Sequence, residues 1–413
     1  MIIATTAALS IGDLTVRGLM SMFLPVLVVA WAVTLLSTPL IRAFALEIGV
    51  VDHPNETRKI HHKPIAYLGG VALFFGLIAG IAVSYAIDMP SVFRPIPIAV
   101  VLGMIAITAT GVGDDVWGLD PRFKIMGQLV AAAGLSLFGI GTQTAAAFLA
   151  YFFGTSDLSF EVVGIAINVT EWVGVGIVAV LVLGGCNASN LIDGLDGLLS
   201  GTTSIIGVGL LLISLLMALH LTSADLEWLE QSLPTSVVAT DGVSLAGARI
   251  ALCMALIGAT LGFLAHNFNP ATIFLGDAGS LLIGYFCVTI ILMLGELGQT
   301  HFVLAGLIVF GLPIVDTILA ITRRKVQGLN ASDPDANHLH HILKRQLGTV
   351  KLAVLGMWAI ETIFMAIGVA IVAISIAGEV RVMVVYLLFI LIFGTVAIAG
   401  AMMGRRAARK SKS

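Results

Sequence analysis

Long apolar runs dominate the chain and predict membrane-spanning helices. Runs of eighteen or more apolar residues recur along nearly the whole sequence, and each is long enough to cross a hydrocarbon core of about 30 Å as a helix. The runs are continuous rather than alternating, which argues against the strands of a closed barrel. We therefore predict an all-α polytopic integral membrane protein of about eleven transmembrane helices, at residues 18–44, 67–87, 95–112, 124–141, 172–190, 198–221, 246–265, 281–297, 301–321, 351–377 and 382–403.

The composition makes lipid, not water, the expected solvent. Of 413 residues, 58% are hydrophobic and 11% are charged, against about 25% charged in a soluble domain. The first apolar run has no small-residue cleavage site, so we expect a retained helix rather than a signal peptide. The three cysteines lie in or beside apolar runs without paired spacing, which suggests neither a disulfide framework nor a zinc site.

One stretch, residues 142–171, interrupts the apolar pattern. We predict an outer-face hairpin or a re-entrant piece there, and we count no span. The interruption comes from Phe152, Phe153, Gly154, Thr155, Ser156 and Asp157.

The distribution of lysine and arginine predicts the orientation, because these residues mark the cytoplasmic loops. Seventeen of the 21 lie in segments 42–66, 113–124 and 322–351 or in the tail. The amino terminus is therefore predicted outside and the carboxyl terminus in the cytoplasm, with every motif below on the cytoplasmic face. We expect one transmembrane domain at residues 1–403 and a basic cytoplasmic tail at 404–413.

Adjacent carboxylates, Asp114 and Asp115, end the third predicted span, and Lys124 opens the fourth. Two carboxylates about 4 Å apart repel by about 4 kcal/mol at an effective dielectric constant of 20. A divalent cation or the lysine would relieve that repulsion. A solvated turn between helices explains the pair equally well.

The end of the fifth predicted span carries amides and carboxylates at every third position: Asn187, Asn190, Asp193 and Asp196. Each three-residue step on a helix rotates the side chain by about 60°. Asn190 and Asp193 should then converge, while Asn187 and Asp196 diverge unless a glycine breaks the helix. Carboxylate oxygens suit Mg²⁺, with Mn²⁺ as the alternative, and amides suit hydroxyls or a base edge. A loop with one capping aspartate explains one of these residues but not four.

Another candidate carboxylate, Asp277, stands at the head of the eighth predicted span, after Asn267 and Phe274. It could hold a metal-bound phosphate near the positive end of that helix. The simpler alternative is that Asp277 or Ser280 is a helix cap.

Two basic loops complete the set of motifs. The loop after the ninth predicted span contains a histidine cluster, His338, His340 and His341, for which recognition of a phosphorylated donor is favoured over zinc. The first loop has a basic turn, with Lys63, before Gly69 and Gly70. Taken alone, that turn is equally typical of an anchor for anionic lipid.

Taken together, the five motifs resemble the polyprenyl-phosphate N-acetylhexosamine-1-phosphate transferases, the family that includes MraY and WecA. The resemblance covers about Asp52 to Arg345, with the motifs in the family's order and spacing. It implies that Asp277 is the principal Mg²⁺ ligand and that Asp115 and Asp193 line the same metal and diphosphate site. It also implies that Asp114 acts on the lipid phosphate, either as its base or by positioning it.

The resemblance assigns the remaining residues to substrates. Lys63, Lys124 and Asn190 would surround the diphosphate and the lipid phosphate, with Asn187 beside them. The uridine pocket would be formed by Asp196, Asn267 and Phe274, and the donor sugar and diphosphate would be read by His338, His340 and His341. On this basis Asp114, Asp115, Lys124 and Asp193 are the predicted catalytic residues.

The form of the histidine cluster favours one branch of the family. His-x-His-His resembles the WecA and TagO side, which uses UDP-N-acetylglucosamine or a related UDP-hexosamine, better than the three consecutive histidines of the MraY side. One departure is that Asp335 is followed by Ala336 and Asn337, where many relatives have an arginine. The expected reaction transfers N-acetylhexosamine-1-phosphate from a UDP-sugar to polyprenyl phosphate, which releases UMP and starts lipid-linked cell-envelope glycan synthesis.

Two alternatives stay open at this point. One is the peptidoglycan branch, which takes UDP-N-acetylmuramoyl-pentapeptide. The other is a solute transporter, whose ionisable groups would lie at mid-membrane, where Glu361 is the main candidate and is better explained as a packed polar contact than as a proton relay. Expected partners are the donor, the lipid acceptor and membrane lipid, with no nucleic acid, and a homodimer is allowed.

Overall fold

The protein is nearly all helical. The computed structural model describes residues 14–52, 64–154, 158–162, 165–232, 243–329, 338–378 and 381–410. Within these ranges it has fifteen helices and two short antiparallel hairpins. The helices are α1 Val16–Glu47, α2 Gly69–Ser84, α3 Ile98–Trp117, α4 Pro121–Leu137, α5 Thr142–Phe153, α6 Val169–Ile192, α7 Leu198–Leu219, α8 Ser223–Ser232, α9 Ala246–Asn267, α10 Gly276–Met293, α11 Thr300–Val309, α12 Gly311–Gln327, α13 Leu339–Leu347, α14 Val350–Ile376 and α15 Val382–Lys410.

The predicted count of eleven spans is not confirmed. In the described part of the chain, eight single helices are long and apolar enough to cross a membrane, or ten spans if each of two bent pairs counts as one. The bent pairs are α4 with α5, at 68°, and α11 with α12, at 78°. The remaining predicted span, α2, has 16 residues and is therefore only about 24 Å long.

The stretch without a predicted span folds as a helix followed by a hairpin. Helix α5 occupies its first part, and strands β3 (Ser159–Val162) and β4 (Ile165–Asn168) pair antiparallel after it. A hairpin is therefore present in this stretch. A re-entrant arrangement of α5, which bends by 68° from α4, and the membrane face of the stretch stay predictions. At the other end of the chain, α15 continues to Lys410, so the basic segment at 404–410 extends the last helix.

Two central helices, α9 and α10, form the core of the bundle. Their apolar windows are 83% and 89% buried within the protein, whereas those of α14 and α15 are 22% and 11% buried. Helix α9 packs against α1, α2 and α7, and α10 packs against α2, α3 and α6. The outer helices therefore present most of their apolar surface to lipid.

Small residues let three helices approach closely near the start of α10. A Cβ atom added at Gly70 of α2 would lie 2.0 Å from the Gly279 amide nitrogen, and one at Gly111 of α3 would lie 2.4 Å from the Ala278 Cα. Such close backbone contacts are typical of helix packing in membranes, where small residues replace the hydrophobic driving force. They bring the end of α3 against the beginning of α10.

A short strand arrangement fixes the first loop on the same end of the bundle. Strands β1 (Val51–Asp52) and β2 (Ile65–Ala66) pair antiparallel, and Ala66 also bridges Ile273 in parallel. Backbone bonds from the Gly69 and Gly70 amides to the segment before α10 continue this pairing. The loop that leads into α2 is thereby tied to the loop that leads into α10.

The broken span α11–α12 is held by a buried glutamate. Glu361 of α14 is fully buried, and its Oε2 accepts a hydrogen bond from the Leu312 amide at 3.1 Å. The first amides of a helix have no partner within that helix, so this carboxylate supplies one at the break. The interpretation of Glu361 as a packed polar contact is confirmed.

Candidate active site

Residues from distant parts of the sequence meet in a cavity of about 540 Å³ at one end of the bundle. The cavity lies where α6, α9 and α10 begin or end, and the first loop closes one side. Its polar lining includes Asp52, Tyr67, Asn190, Asp193, Asp196, Asn267, Asn269, Asp277 and His341.

Asp277 is held between a cation and an amide. Lys124 Nζ lies 2.5 Å from its Oδ2, and Asn190 Nδ2 donates to its Oδ1 at 2.8 Å. Just before it, Gly276 has φ of +69°, and a Cβ there would lie 2.4 Å from an Asp115 oxygen. Glycine is therefore required for the turn that leads into α10.

The head of α10 is capped by Asp115, which lies on α3. Its Oδ1 accepts the Asp277 amide at 2.8 Å and its Oδ2 accepts the Ala278 amide at 3.1 Å. The alternative that Asp277 is itself the cap is wrong. Leu275, the residue before α10, makes no side-chain capping bond, and the acceptor for the Asp277 amide is Asp115. Asp277 is left to contact Lys124, Asn190 and the cavity.

Lys124 also binds the other member of the adjacent pair. Its Nζ lies 2.6 Å from Asp114 Oδ2, while Asp114 Oδ1 accepts the Leu119 amide at 2.9 Å. The lysine thus links the carboxylate at the end of α3 to the one at the start of α10. Of the two explanations for Asp114 and Asp115, the solvated turn fails, since both carboxylates have specific partners.

The amide and carboxylate run at the end of α6 divides as its helical spacing predicts. Asn190 and Asp193 both line the cavity, whereas Asn187 donates to Gln128 Oε1 at 3.0 Å and to the Leu183 carbonyl oxygen. Asn187 therefore contacts α4 instead of the cavity.

Asp193 lies beyond the last residue of α6, and its environment disfavours negative charge. Burial, followed by repulsion from Asp277, Asp115 and Asp196, raises the pKa of Asp193 to about 8. Burial and neighbouring carboxylates both disfavour the charged form of an aspartate, so they raise its pKa together. A bound cation would favour the ionised form instead.

The loop between α6 and α7 is fastened to the loop before α10. Asp196 Oδ2 accepts bonds from Asn269 Nδ2 at 2.8 Å and from the Ala271 amide at 3.0 Å. Asn267 is only 4% exposed, and its amide group bonds the Gly197 amide, the Ser200 hydroxyl and the Ile273 carbonyl oxygen. Asn267 therefore holds the wall of the cavity together.

Sequence reasoning missed Tyr67, which lies over the carboxylates. Its ring contacts Phe274, with centroids 6.0 Å apart, and its hydroxyl bonds Asp52. Burial, and then the charge of Asp52, raises the pKa of Tyr67. The available signal was its position directly before Leu68, Gly69 and Gly70 within the first motif.

The histidine cluster lies at the start of α13, next to the loop that follows α6. A Cβ at Gly194 would lie 2.5 Å from His340 Nε2, and His341 lines the cavity. Burial lowers the pKa of His340 to about 3 and also lowers that of His341. Both rings are therefore neutral near pH 7, and His338 lies behind them.

One predicted site residue, Lys63, is not among the described residues. The rest of the first basic turn and residues 330–337 also lie outside them. Within the described ranges, no group of three histidine, cysteine, aspartate or glutamate side chains is placed to hold a metal ion by itself.

Known proteins are similar in sequence to most of this chain. A probable undecaprenyl-phosphate N-acetylglucosaminyl 1-phosphate transferase of Bacillus subtilis is 31% identical over 347 residues, which covers 82% of this chain and 83% of the relative. The chain belongs to glycosyl transferase family 4. The model of that family matches residues 97–295.

Two further family 4 relatives carry similar names. A decaprenyl-phosphate N-acetylglucosaminephosphotransferase of Mycolicibacterium smegmatis is 32% identical, covering 75% of this chain and 72% of the relative. An undecaprenyl-phosphate alpha-N-acetylglucosaminyl 1-phosphate transferase of Escherichia coli K12 is 26% identical, covering 79% of this chain and 78% of the relative. The predicted family is confirmed, and the chain is a multi-pass membrane protein of it.

The matched family 4 region holds the carboxylates, but not the whole cavity. Asp114, Asp115, Lys124, Asp193 and Asp277 all lie between residues 97 and 295. Tyr67 and the histidine cluster lie outside that region and reach the cavity through the tertiary structure.

Proposed function

We propose that this chain transfers N-acetylglucosamine-1-phosphate from UDP-N-acetylglucosamine to undecaprenyl or another polyprenyl phosphate, with release of UMP. The observation that carries the proposal is the position of Asp277, held by Lys124 and Asn190 at the edge of a cavity that Asp193 also lines. The names of the family 4 relatives support the donor sugar and the lipid acceptor. We place the reaction at the cytoplasmic face of the inner membrane, as the lysine and arginine distribution predicts.

The cavity has the size and lining that a nucleotide sugar requires. Its volume of about 540 Å³ falls in the usual range for small-molecule sites, about 300–1,000 Å³. Phe274 and Tyr67 offer aromatic surface for a base, and the neutral rings of His340 and His341 lie on the side of the Gly194 loop. This arrangement favours binding of the donor inside the cavity and binding of the lipid acceptor on the side of Lys124 that faces away from the cavity.

The carboxylate set fits a divalent cation, for which we propose Mg²⁺, with Mn²⁺ as a substitute. Asp277 and Asp193 would hold it, since both line the cavity, and Asp277, Asp115 and Asp196 add to the effect of burial on the pKa of Asp193. Mg²⁺ commonly takes one or two carboxylates together with substrate phosphates, not a complete protein cage. When bound, the cation would neutralise charge on the donor diphosphate.

Asp115 is the predicted ligand that fits least well. Both of its oxygens accept backbone amides of α10, so we propose that Asp115 fixes the helix carrying Asp277 and does not bind the cation directly. Ligand-supporting groups of this kind orient the groups that touch the metal.

The reaction exchanges one phosphoanhydride for another, so catalysis depends on positioning and charge neutralisation. A lipid phosphate oxygen attacks the sugar-bearing phosphorus and forms a new bond to it. The bond from that phosphorus to the bridging oxygen breaks, and the bridging oxygen leaves as part of UMP with the electron pair of the broken bond. Lys124 neutralises the attacking phosphate. We propose that Asp114 orients Lys124, because Asp114 already accepts its ammonium group and the Leu119 amide.

The role of Asp114 has its own test. In Asp114→Asn a positioning role predicts lower turnover at every pH, whereas loss of a general base predicts a turnover that recovers as pH rises and the lipid phosphate loses its last proton. Unchanged turnover would reject both roles.

The proposed function is tested with a donor panel. Purified protein is incubated with undecaprenyl phosphate and UDP-N-acetylglucosamine, UDP-N-acetylgalactosamine or UDP-N-acetylmuramoyl-pentapeptide, with and without Mg²⁺, and UMP release is measured. We expect release with the first donor only when Mg²⁺ is present, and release from Asp277→Asn that is slower by about 100-fold or more. Activity with the pentapeptide donor alone would assign the chain to the peptidoglycan branch, and no release from any donor would reject the transferase.

A further inference from the structure

A buried carboxylate outside the predicted site, Asp316, makes two strong contacts with the histidine segment. Asp316 lies on α12 and is fully buried. Its Oδ2 is 2.7 Å from His338 Nδ1, and its Oδ1 accepts the Leu339 amide at 2.8 Å. A buried carboxylate is costly unless its oxygens have partners, and here both partners belong to adjacent residues of a single segment.

These contacts fix the beginning of α13. Leu339 is the first residue of that helix, and the residue before it, His338, makes no side-chain capping bond. The first amides of a helix require an acceptor from outside it, and Asp316 supplies one from α12. A carboxylate bonded to Nδ1 also fixes the orientation of an imidazole ring and leaves Nε2 as its other polar atom.

Contacts between the histidine rings connect His338 to the cavity. The His338 and His340 rings are stacked, with centroids 5.5 Å apart and planes at 10°. His340 packs on Gly194, and its ring lies 4.3 Å from that of His341, which lines the cavity. Asp316 is thereby connected through His338 and His340 to the wall of the donor pocket.

The position of Asp316 is itself fixed by the break in its span. The Leu312 amide, one turn before Asp316, is bonded to Glu361 of α14. The axis of α12 is bent by 78° from that of α11, so the first turns of α12 do not continue the α11 helix. Helix α14 therefore holds the first turn of α12, which packs mainly against α15 and α6 along its length, and Asp316 joins α12 to α13.

We infer that Asp316 is a positioning residue for the donor: by holding His338 and the Leu339 amide, it fixes His340 and His341 against the Gly194 loop. The inference rests on the proposed function, and it deepens it by separating donor recognition from acceptor recognition. Asp114 and Lys124 lie on α3 and α4 and make none of these contacts. Loss of the Asp316 carboxylate should consequently weaken use of the donor and leave use of the lipid unchanged.

The test compares donor and acceptor kinetics in Asp316→Asn, which keeps the shape of the side chain but removes its charge and one acceptor. We expect kcat/KM for UDP-N-acetylglucosamine to fall by about 10- to 100-fold, the usual range for groups that support a site from behind. The KM for undecaprenyl phosphate should stay within about twofold of wild type. Thr317→Ala is the matched control, because Thr317 bonds only the Pro313 carbonyl oxygen of its own helix, and it should match wild type in both parameters.

A double-variant cycle with His338→Ala separates positioning from a general loss of structure. If Asp316 acts through His338, the double variant loses no more donor kcat/KM than the more damaged single variant. Multiplied losses, or equal losses for donor and acceptor that follow a lower melting temperature, would overturn the inference. Should Asp316→Asn fail to fold in detergent, Asp316→Glu replaces it, and an unchanged donor kcat/KM in that variant is the contrary result.

Wild-type protein measured in parallel keeps the two proposals apart. Active wild type together with an Asp316→Asn variant of normal donor kcat/KM rejects the positioning role alone. Inactive wild type rejects the transferase and, with it, the assignment of Asp316 to a donor site.

Discussion

The two ends of the bundle differ in how their charged side chains are paired. At the cavity end, Asp114, Asp115, Asp193 and Asp277 lie together, and Lys124 is the cation that the described residues place in contact with them. At the other end of α9 and α10, Arg249 is fully buried and lies 2.7 Å from Glu296.

The ion pair at the second end is supported by further hydrogen bonds. Glu296 also accepts the Ser244 hydroxyl and the Leu245 amide, and Arg249 donates to the Met293 carbonyl oxygen. Its charges balance, and it ties the start of α9 to the end of α10.

The two ends therefore differ in their net charge. The Arg249–Glu296 pair is electrically balanced, whereas a carboxylate cluster with one lysine retains negative charge that a cation would neutralise. Electrostatic imbalance in a cavity is characteristic of functional sites.

Removing one member of the balanced pair should cost the most. In Arg249→Leu the Glu296 carboxylate is left buried without its cation, for which we expect a loss of about 3–5 kcal/mol in unfolding free energy. Thermal and denaturant unfolding in detergent measure it. Adding Glu296→Gln, which keeps an acceptor for the Leu245 amide, should restore most of the loss. If the double variant is no more stable than Arg249→Leu, the pairing argument fails.

Removing charge at the cavity end should act on turnover instead. Asp277→Asn should lower kcat for UMP release by about 10²- to 10³-fold, the range for loss of one preorganised electrostatic group. Its unfolding free energy should equal that of wild type or exceed it, because a repelling charge has been removed. Turnover within a few fold of wild type would show that the carboxylate cluster is not the active site.

The two amide side chains at the end of α6, Asn190 and Asn187, differ in their contacts and should differ in their effect on turnover. Asn190→Ala removes the contact with Asp277 and should lower kcat by about 10- to 100-fold. Asn187→Ala removes a contact with Gln128 of α4 and should change kcat by no more than about twofold. Steady-state UMP release distinguishes them, and equal losses in the two variants would contradict the geometry.

Divalent ion binding should stabilise only the cavity end. At a free Mg²⁺ concentration ten times its Kd, linkage predicts a gain of about 1.4 kcal/mol in unfolding free energy, seen as a higher melting temperature after chelator removal and Mg²⁺ addition. Arg249→Leu/Glu296→Gln should show the same gain as wild type, and Asp277→Asn should show none. An identical gain in Asp277→Asn would place the ion elsewhere.

Much of the site was predictable because its residues are costly in a membrane. Carboxylates at the ends of apolar runs stand out, and their helical spacing correctly separated Asn190 and Asp193 from Asn187. The roles within the cluster were not predictable. The sequence left open whether Asp277 is a metal ligand or a helix cap, and the cap is Asp115, which lies 162 positions away in sequence. Tyr67 and Asp316 were missed because each carries an ordinary signal within its own segment.

The apolar runs and the acidic, amide and histidine motifs between them are local properties, so the sequence alone determined the helical membrane fold, the family resemblance and most of the residues at the cavity. Tertiary structure decided where the spans bend, which carboxylate caps α10 and how Asp316 reaches the histidine segment. These features depend on glycines that let α2, α3 and α10 approach within backbone contact, and on acceptors supplied by one helix to the open end of another. Neither kind of contact leaves a periodic trace, because the partners are far apart along the chain and become neighbours only when the helices pack.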